Sequence, residues 1–91
     1  MTIQEIKAIQ ISDFLANKGY EPVSKKGCAW WYLSPLHNEQ TASFKVDLNK
    51  NVWYDFGLGR GGNLIAFAME LYNTSNISEV MRIMNHSVII P

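Results

Sequence analysis

The sequence predicts an α+β fold: a small antiparallel sheet of three or four strands flanked by N-terminal and C-terminal helices. Three observations lead there. Polar and apolar residues alternate over residues 43–56 on both sides of a short polar break, the pattern of a half-buried hairpin. Apolar residues recur at helical spacing before and after that region. The chain has 91 residues, 47% hydrophobic and 18% charged, which suits one packed domain over 1–91 and is too apolar for a disordered tail.

The first helical stretch is residues 3–18. Thr2 and Glu5 have the spacing of a capping box, Ser12 and Asp13 offer a second start after a break near Ile11, and Gly19 is a C-terminal stop. Lys25-Lys26-Gly27 reads as a turn between a short segment, Tyr20 to Ser24, and an aromatic strand, Cys28 to Leu33. Trp30 and Trp31 point to opposite faces of that strand, one toward the core. Pro35 ends it.

The central hairpin is expected to turn through Asn49-Lys50-Asn51. That register pairs Leu48 with Val52, Val46 with Tyr54 and Phe44 with Phe56, so all six share one face. Lys45 then faces Asp55 and Asp47 faces Trp53 on the polar side. Gly57-Leu58-Gly59-Arg60-Gly61-Gly62 holds four of the six glycines and is expected to carry no regular element. Asn63 caps a helix with Leu64, Ile65, Phe67, Ala68, Leu71 and Tyr72 on its apolar stripe. Ile77, Val80, Met81 and Met84 repeat the pattern after the Asn73–Asn76 break. The apolar end, Val88-Ile89-Ile90-Pro91, reads as the point where the N-terminal part of a longer chain was cut.

Charge and cysteine content narrow the function classes. The formal net charge is zero, which argues against a strongly basic nucleic-acid binder, yet residues 18–60 carry a positive excess of two. The one cysteine, Cys28, makes no internal disulfide and no ordinary structural zinc site, and reads as a small buried hydrophobe in a cytoplasmic protein. No apolar run approaches a membrane span, and the polar N-terminus is no secretory signal.

Two separated segments carry a more specific signal: Ser34-Pro35-Leu36-His37-Asn38-Glu39-Gln40-Thr41-Ala42-Ser43-Phe44, and Tyr54-Asp55-Phe56-Gly57-Leu58-Gly59-Arg60-Gly61-Gly62-Asn63. With the hairpin between them they resemble the N-terminal zinc-binding domain of bacterial DNA primases, over about residues 11–72. That family reads Cys-Pro-Phe-His-Asn-Glu-Lys-Thr-Pro-Ser-Phe, then a hairpin, then Cys-Phe-Gly-Cys-Gly-x-Gly-Gly. Its four zinc-ligand positions fall on Ser34, His37, Asp55 and Leu58, with seventeen residues between His37 and Asp55 as in common forms of the family. Only His37 is a ligand of the family's type. A closed zinc site needs thiolate, imidazole or carboxylate donors, usually four, so the resemblance is to a zinc-ribbon-like domain whose zinc is lost and which holds no cofactor. Leu36 and Leu58 are expected to pack where the ligated loops would meet, each burial contributing roughly 1.5–3 kcal/mol.

The resemblance implies recognition of single-stranded template DNA in a primase-like replication or mobile-element protein. Lys25, Lys26, Lys45, Lys50 and Arg60 are candidates for phosphates, and Trp53 for a stacked base beside Lys45. Catalysis is expected elsewhere, in a primase nucleotidyltransferase domain or another replication protein that this segment would partner. The Ser34, His37 and Asp55 side chains resemble a hydrolytic triad only because they fall on ligand positions. The glycine-rich loop is no P-loop, since no Lys-Ser/Thr follows. The alternative is a protein-interaction module that has lost both zinc and DNA binding, using spare aromatics such as Trp31 and Tyr72.

Overall fold

The computed structural model describes residues 2–38 and 40–89, the last four of them by backbone alone. The N-terminal stretch forms two short helices, α1 (Ile3–Lys7) and α2 (Ile11–Asn17). The expected capping box closes α1: the Thr2 hydroxyl accepts from the Glu5 N–H, and the Thr2 N–H donates to the Glu5 carboxylate. Gly19 ends α2 as expected, its N–H reaching the Ala16 carbonyl while the Tyr20 N–H reaches that of Leu15. The start of α2 differs from the expectation at Ser12 and Asp13. Helix α2 begins at Ile11, whose N–H donates 2.8 Å to the side chain of Asn51, forty residues away.

Among the described residues five strands form one antiparallel sheet in chain order: β1 (Ser24–Lys26), β2 (Ala29–Tyr32), β3 (Phe44–Asp47), β4 (Val52–Asp55) and β5 (Arg60–Gly62). The α+β class stands, with more strands than expected. Lys25 and Lys26 lie in β1, and the turn falls on Gly27 and Cys28. Strand β5 forms inside the glycine-rich segment because the glycines make room for it. A Cβ at Gly61 would press on the Trp53 carbonyl oxygen and lie 2.7 Å from the Tyr54 ring, so a bare backbone is what pairs there.

The hairpin between β3 and β4 takes another register than the one expected. Asp47 pairs with Val52, Val46 with Trp53, Lys45 with Tyr54 and Phe44 with Asp55. The Asp47 carboxylate accepts the N–H groups of Asn49 and Lys50, and Asn51 takes the left-handed conformation, which lengthens the loop to four residues. Trp53 and Asp55 therefore face inward with Phe44 and Val46, while Tyr54 faces outward, and Phe56 just beyond β4 is 56% exposed. The expected Lys45–Asp55 pair does not form, since the two side chains leave opposite faces of the sheet.

Helix α3 (Leu64–Leu71) lies on the inner face of the sheet, and α4 (Ile77–Ile89) packs against α3. The Asn63 side chain caps α3 as expected, accepting the Ala66 N–H. Helix α3 packs on β4, β5, α1 and α4. Its Phe67 meets both rings of the stacked Phe44–Trp53 pair edge-on, at 5.5 and 5.7 Å. Trp30 packs on this core, Trp31 lies on the other face, and Met84 is buried with Met69 and Met81 against the cluster. Cys28 is half-buried in its turn and its sulfur accepts from Asn49. Tyr72 packs on the core, so it is not a spare surface aromatic. Glu39, the His86 side chain and the apolar end at Ile90 and Pro91 lie outside the described residues.

Candidate functional site

Ser34 and His37 arrive from the loop after β2, Asp55 from the last position of β4, and Leu58 from the loop that follows it. They meet at the Asp55 carboxylate, which is wholly buried. The Ser34 hydroxyl donates to its Oδ2 at 2.6 Å, and the Leu58 N–H donates to Oδ1 at 2.9 Å. His37 Nε2 lies 3.1 Å from the same Oδ1, and because a carboxylate only accepts, Nε2 carries the proton. The Leu36 N–H donates to the Ser34 oxygen, so that hydroxyl is fixed from both sides. Gly57 allows this approach: a Cβ there would lie 2.8 Å from the His37 ring. Burial alone pushes the Asp55 carboxyl up, but the hydrogen bonds from Ser34, Leu58 and His37 outweigh it and hold the group below its ordinary value.

These contacts correct the expected Leu36–Leu58 junction. Leu36 packs against the core, whereas Leu58 serves through its backbone N–H. The donor set does not fit zinc. A serine hydroxyl is a poor neutral ligand, leucine offers none, and both carboxylate oxygens already accept hydrogen bonds. Among the described residues no three His, Cys, Asp or Glu side chains gather as a metal group.

The six candidate nucleic-acid contacts separate. Trp53 is 2% exposed, and its Nε1 donates to the Asn63 carbonyl at 2.8 Å, so no face of the ring is open to a base. Its burial follows from the register. Lys25 lies on the inner-face side, its ammonium 4.2 Å over the Trp30 ring. Arg60 pairs with Glu70 at 2.9 Å. Lys26 and Lys45 project from the outer face by register, and Lys50 sits at the hairpin tip beside it.

That outer face carries aromatic residues in place of Trp53. Trp31 stacks on Phe56 at 5.7 Å and 24°, and Tyr54 meets Phe56 edge-on at 4.7 Å. Lys45 stands between Trp31 and Tyr54 in the cross-strand row, 5.9 Å from the Trp31 ring. Beside them an open groove of about 420 Å³ runs between Lys45, Lys50, Val52, Tyr54 and Gly61. The signal for Tyr54 and Phe56 was Asp47, a residue that closes a side-chain turn and so shifts the register.

The CHC2 zinc finger family matches residues 1–90. The chain belongs to that family. It is 34% identical over 77 residues to the DNA primase of Listeria monocytogenes, covering 85% of this chain and 12% of the relative. It is 42% identical over 71 residues to the DNA primase of Synechocystis, covering 77% of this chain and 11% of the relative. The crystal structure of the Aquifex aeolicus primase zinc-binding and RNA polymerase domains superimposes with a TM-score of 0.69 at 29% identity, covering 94% of this chain and 21% of that one. This CHC2 domain thus spans about a tenth of the length of the curated primases it matches. Its fold is that of the primase zinc-binding domain, built on residues that do not fit the metal. Among the described residues no helix is long and apolar enough to cross a membrane.

Proposed function

We propose that this CHC2 domain is the non-catalytic part of a cytoplasmic, primase-like replication or mobile-element protein, where it binds single-stranded template DNA without zinc. The observation that carries this reading is the outer face of the sheet. Helices cover the inner face, and the open one joins Trp31, Tyr54 and Phe56 to Lys26, Lys45 and Lys50. Unpaired bases stack on such rings with roughly 1–3 kcal/mol each, and lysines take the phosphates between them. With a net charge of zero, attraction to DNA comes from this local cluster and not from the whole domain. Primer synthesis itself falls to a catalytic domain in the longer chain or to a partner, in keeping with the share of the relatives that the domain spans.

Titration with a labelled single-stranded oligonucleotide at low and moderate salt tests this. Binding is expected to weaken with salt, to exceed binding to duplex, and to fall in a Trp31→Ala, Lys45→Ala variant. No binding at low salt would favour the protein-interaction reading, in which the exposed Phe56 and Leu33 dock a protein surface.

A further inference from the structure

The knuckle that should hold a metal is occupied by chemistry of opposite sign. We propose that the Asp55 carboxylate has taken the mechanical place of the ion, tying the Ser34–His37 loop to the Asp55–Leu58 loop, and that the backbone keeps the convergent geometry of a ligand site. This rests on the reading that zinc is lost and goes beyond it by naming the group that replaces the metal.

The argument is geometric. A zinc ion draws four positions from two loops to one point. Here three of those positions send a donor to the fourth: Oγ of Ser34, Nε2 of His37 and the backbone N–H of Leu58 all lie 2.6–3.1 Å from Asp55 oxygens. A carboxylate accepts several hydrogen bonds at once, and full burial among donors makes each one strong. Neither a thiolate nor an asparagine does the same work: the first offers one acceptor atom where the carboxylate offers two, and the second replaces one acceptor with a donor that would face the Ser34 hydroxyl or the His37 and Leu58 N–H groups. Gly57 still leaves room for the imidazole, as a ligand site requires. The consequence is a domain whose fold and DNA binding do not depend on the supply of zinc.

The test uses the whole 91-residue chain in three forms. The unaltered protein is expected to purify without stoichiometric zinc and to keep its melting temperature and oligonucleotide affinity in excess chelator. Zinc found at one per chain, with a fall in melting temperature on chelation, would overturn the reading that zinc is lost. Asp55→Asn is expected to lower the melting temperature by roughly 10 °C or more, since buried hydrogen bonds to a charged group are lost. An unchanged value would overturn the carboxylate's role while leaving zinc loss standing. A Ser34→Cys, Asp55→Cys, Leu58→Cys variant, with His37 kept, is expected to bind one zinc or cobalt ion and to become chelator-sensitive. Cobalt would report its thiolate ligands by visible absorption. Failure to take up metal when refolded in excess zinc would overturn the retained geometry.

Discussion

The side chain of Asn51, at the tip of the β3–β4 hairpin, caps helix α2 by accepting the Ile11 N–H at 2.8 Å. Its amide nitrogen donates to the Ile9 carbonyl at 2.9 Å, so one side chain satisfies both ends of the break between α1 and α2. The backbone at Asn51 is left-handed, with φ of 53°. Asparagine adopts that conformation more readily than most residues and brings the amide as well. Asn51→Gly keeps the backbone and deletes the side chain, and it is expected to cost about 1–3 kcal/mol from the unpaired Ile11 and Ile9 groups. Asn51→Ala adds backbone strain and is expected to cost more. Urea unfolding of the two variants checks the order, which reverses if the turn conformation needs no help from glycine.

Trp53 and Trp31 make a contrasting pair, since one is buried against Phe44 and Phe67 and the other stacks with Phe56 on the open face. Trp53→Ala is expected to cost about 3–5 kcal/mol in stability, enough to unfold a small domain. Trp53→Phe keeps a stacked ring but loses the bond to the Asn63 carbonyl and part of the buried indole, about 1–3 kcal/mol in all. Trp31→Ala is expected to leave the fold in place and weaken oligonucleotide binding severalfold. Melting temperature and affinity, measured on the same three variants, separate the two roles.

Those two tryptophans also show how far the sequence reaches. Local chemistry is legible: Thr2 with Glu5, Gly19 and Asn63 all act at the helix ends where their types and spacing put them, because each bond spans only a few residues. The convergence of Ser34, His37, Asp55 and Leu58 is legible too, because the resemblance to the zinc-binding domain places them on its four ligand positions. The hairpin register is not. An alternation of period two assigns faces only relative to a turn, and the turn here is set by the Asp47 carboxylate and by the contacts of Asn51 with a distant helix. A register shift exchanged the faces of Trp53 and Tyr54, and with them the core and the open face of the sheet. Burial of an aspartate in place of Phe56 looks unfavourable until Ser34 and His37 are brought beside it, which only the tertiary fold does.

Gly61 pairs with Tyr54 under conditions that no other residue meets, because an added Cβ would crowd the Trp53 carbonyl and the Tyr54 ring. Gly61→Ala is expected to cost about 1–3 kcal/mol by forcing β5 away from β4. The groove beside Lys45 and Tyr54 is bounded by this same strand, so its shape changes with the pairing. Amide hydrogen exchange provides the local readout: protection is expected to fall in β4 and β5 while β1 and β2 keep theirs. Uniform loss across the sheet would mean that β5 is not a separable edge.

Acid stability follows from Asp55, and its sign can be worked out. Burial raises the carboxyl, the bonds from Ser34, Leu58 and His37 lower it further, and the net value lies below the 3.8 of an unperturbed aspartate. The folded state therefore binds the Asp55 proton less tightly than the unfolded chain does. Such a group adds stability that is fully present above its unfolded value and is lost as the pH falls through the folded one. Between neutral pH and about 5 the Asp55 contribution is expected to be flat, and below 3.8 it declines. In Asp55→Asn the corresponding proton is absent, so the gap in melting temperature between the two proteins is expected to narrow steadily as the pH drops below that point. A gap that widens on acidification would mean that the folded protein holds Asp55 protonated, with the Ser34 contact reversed so that the carboxyl donates.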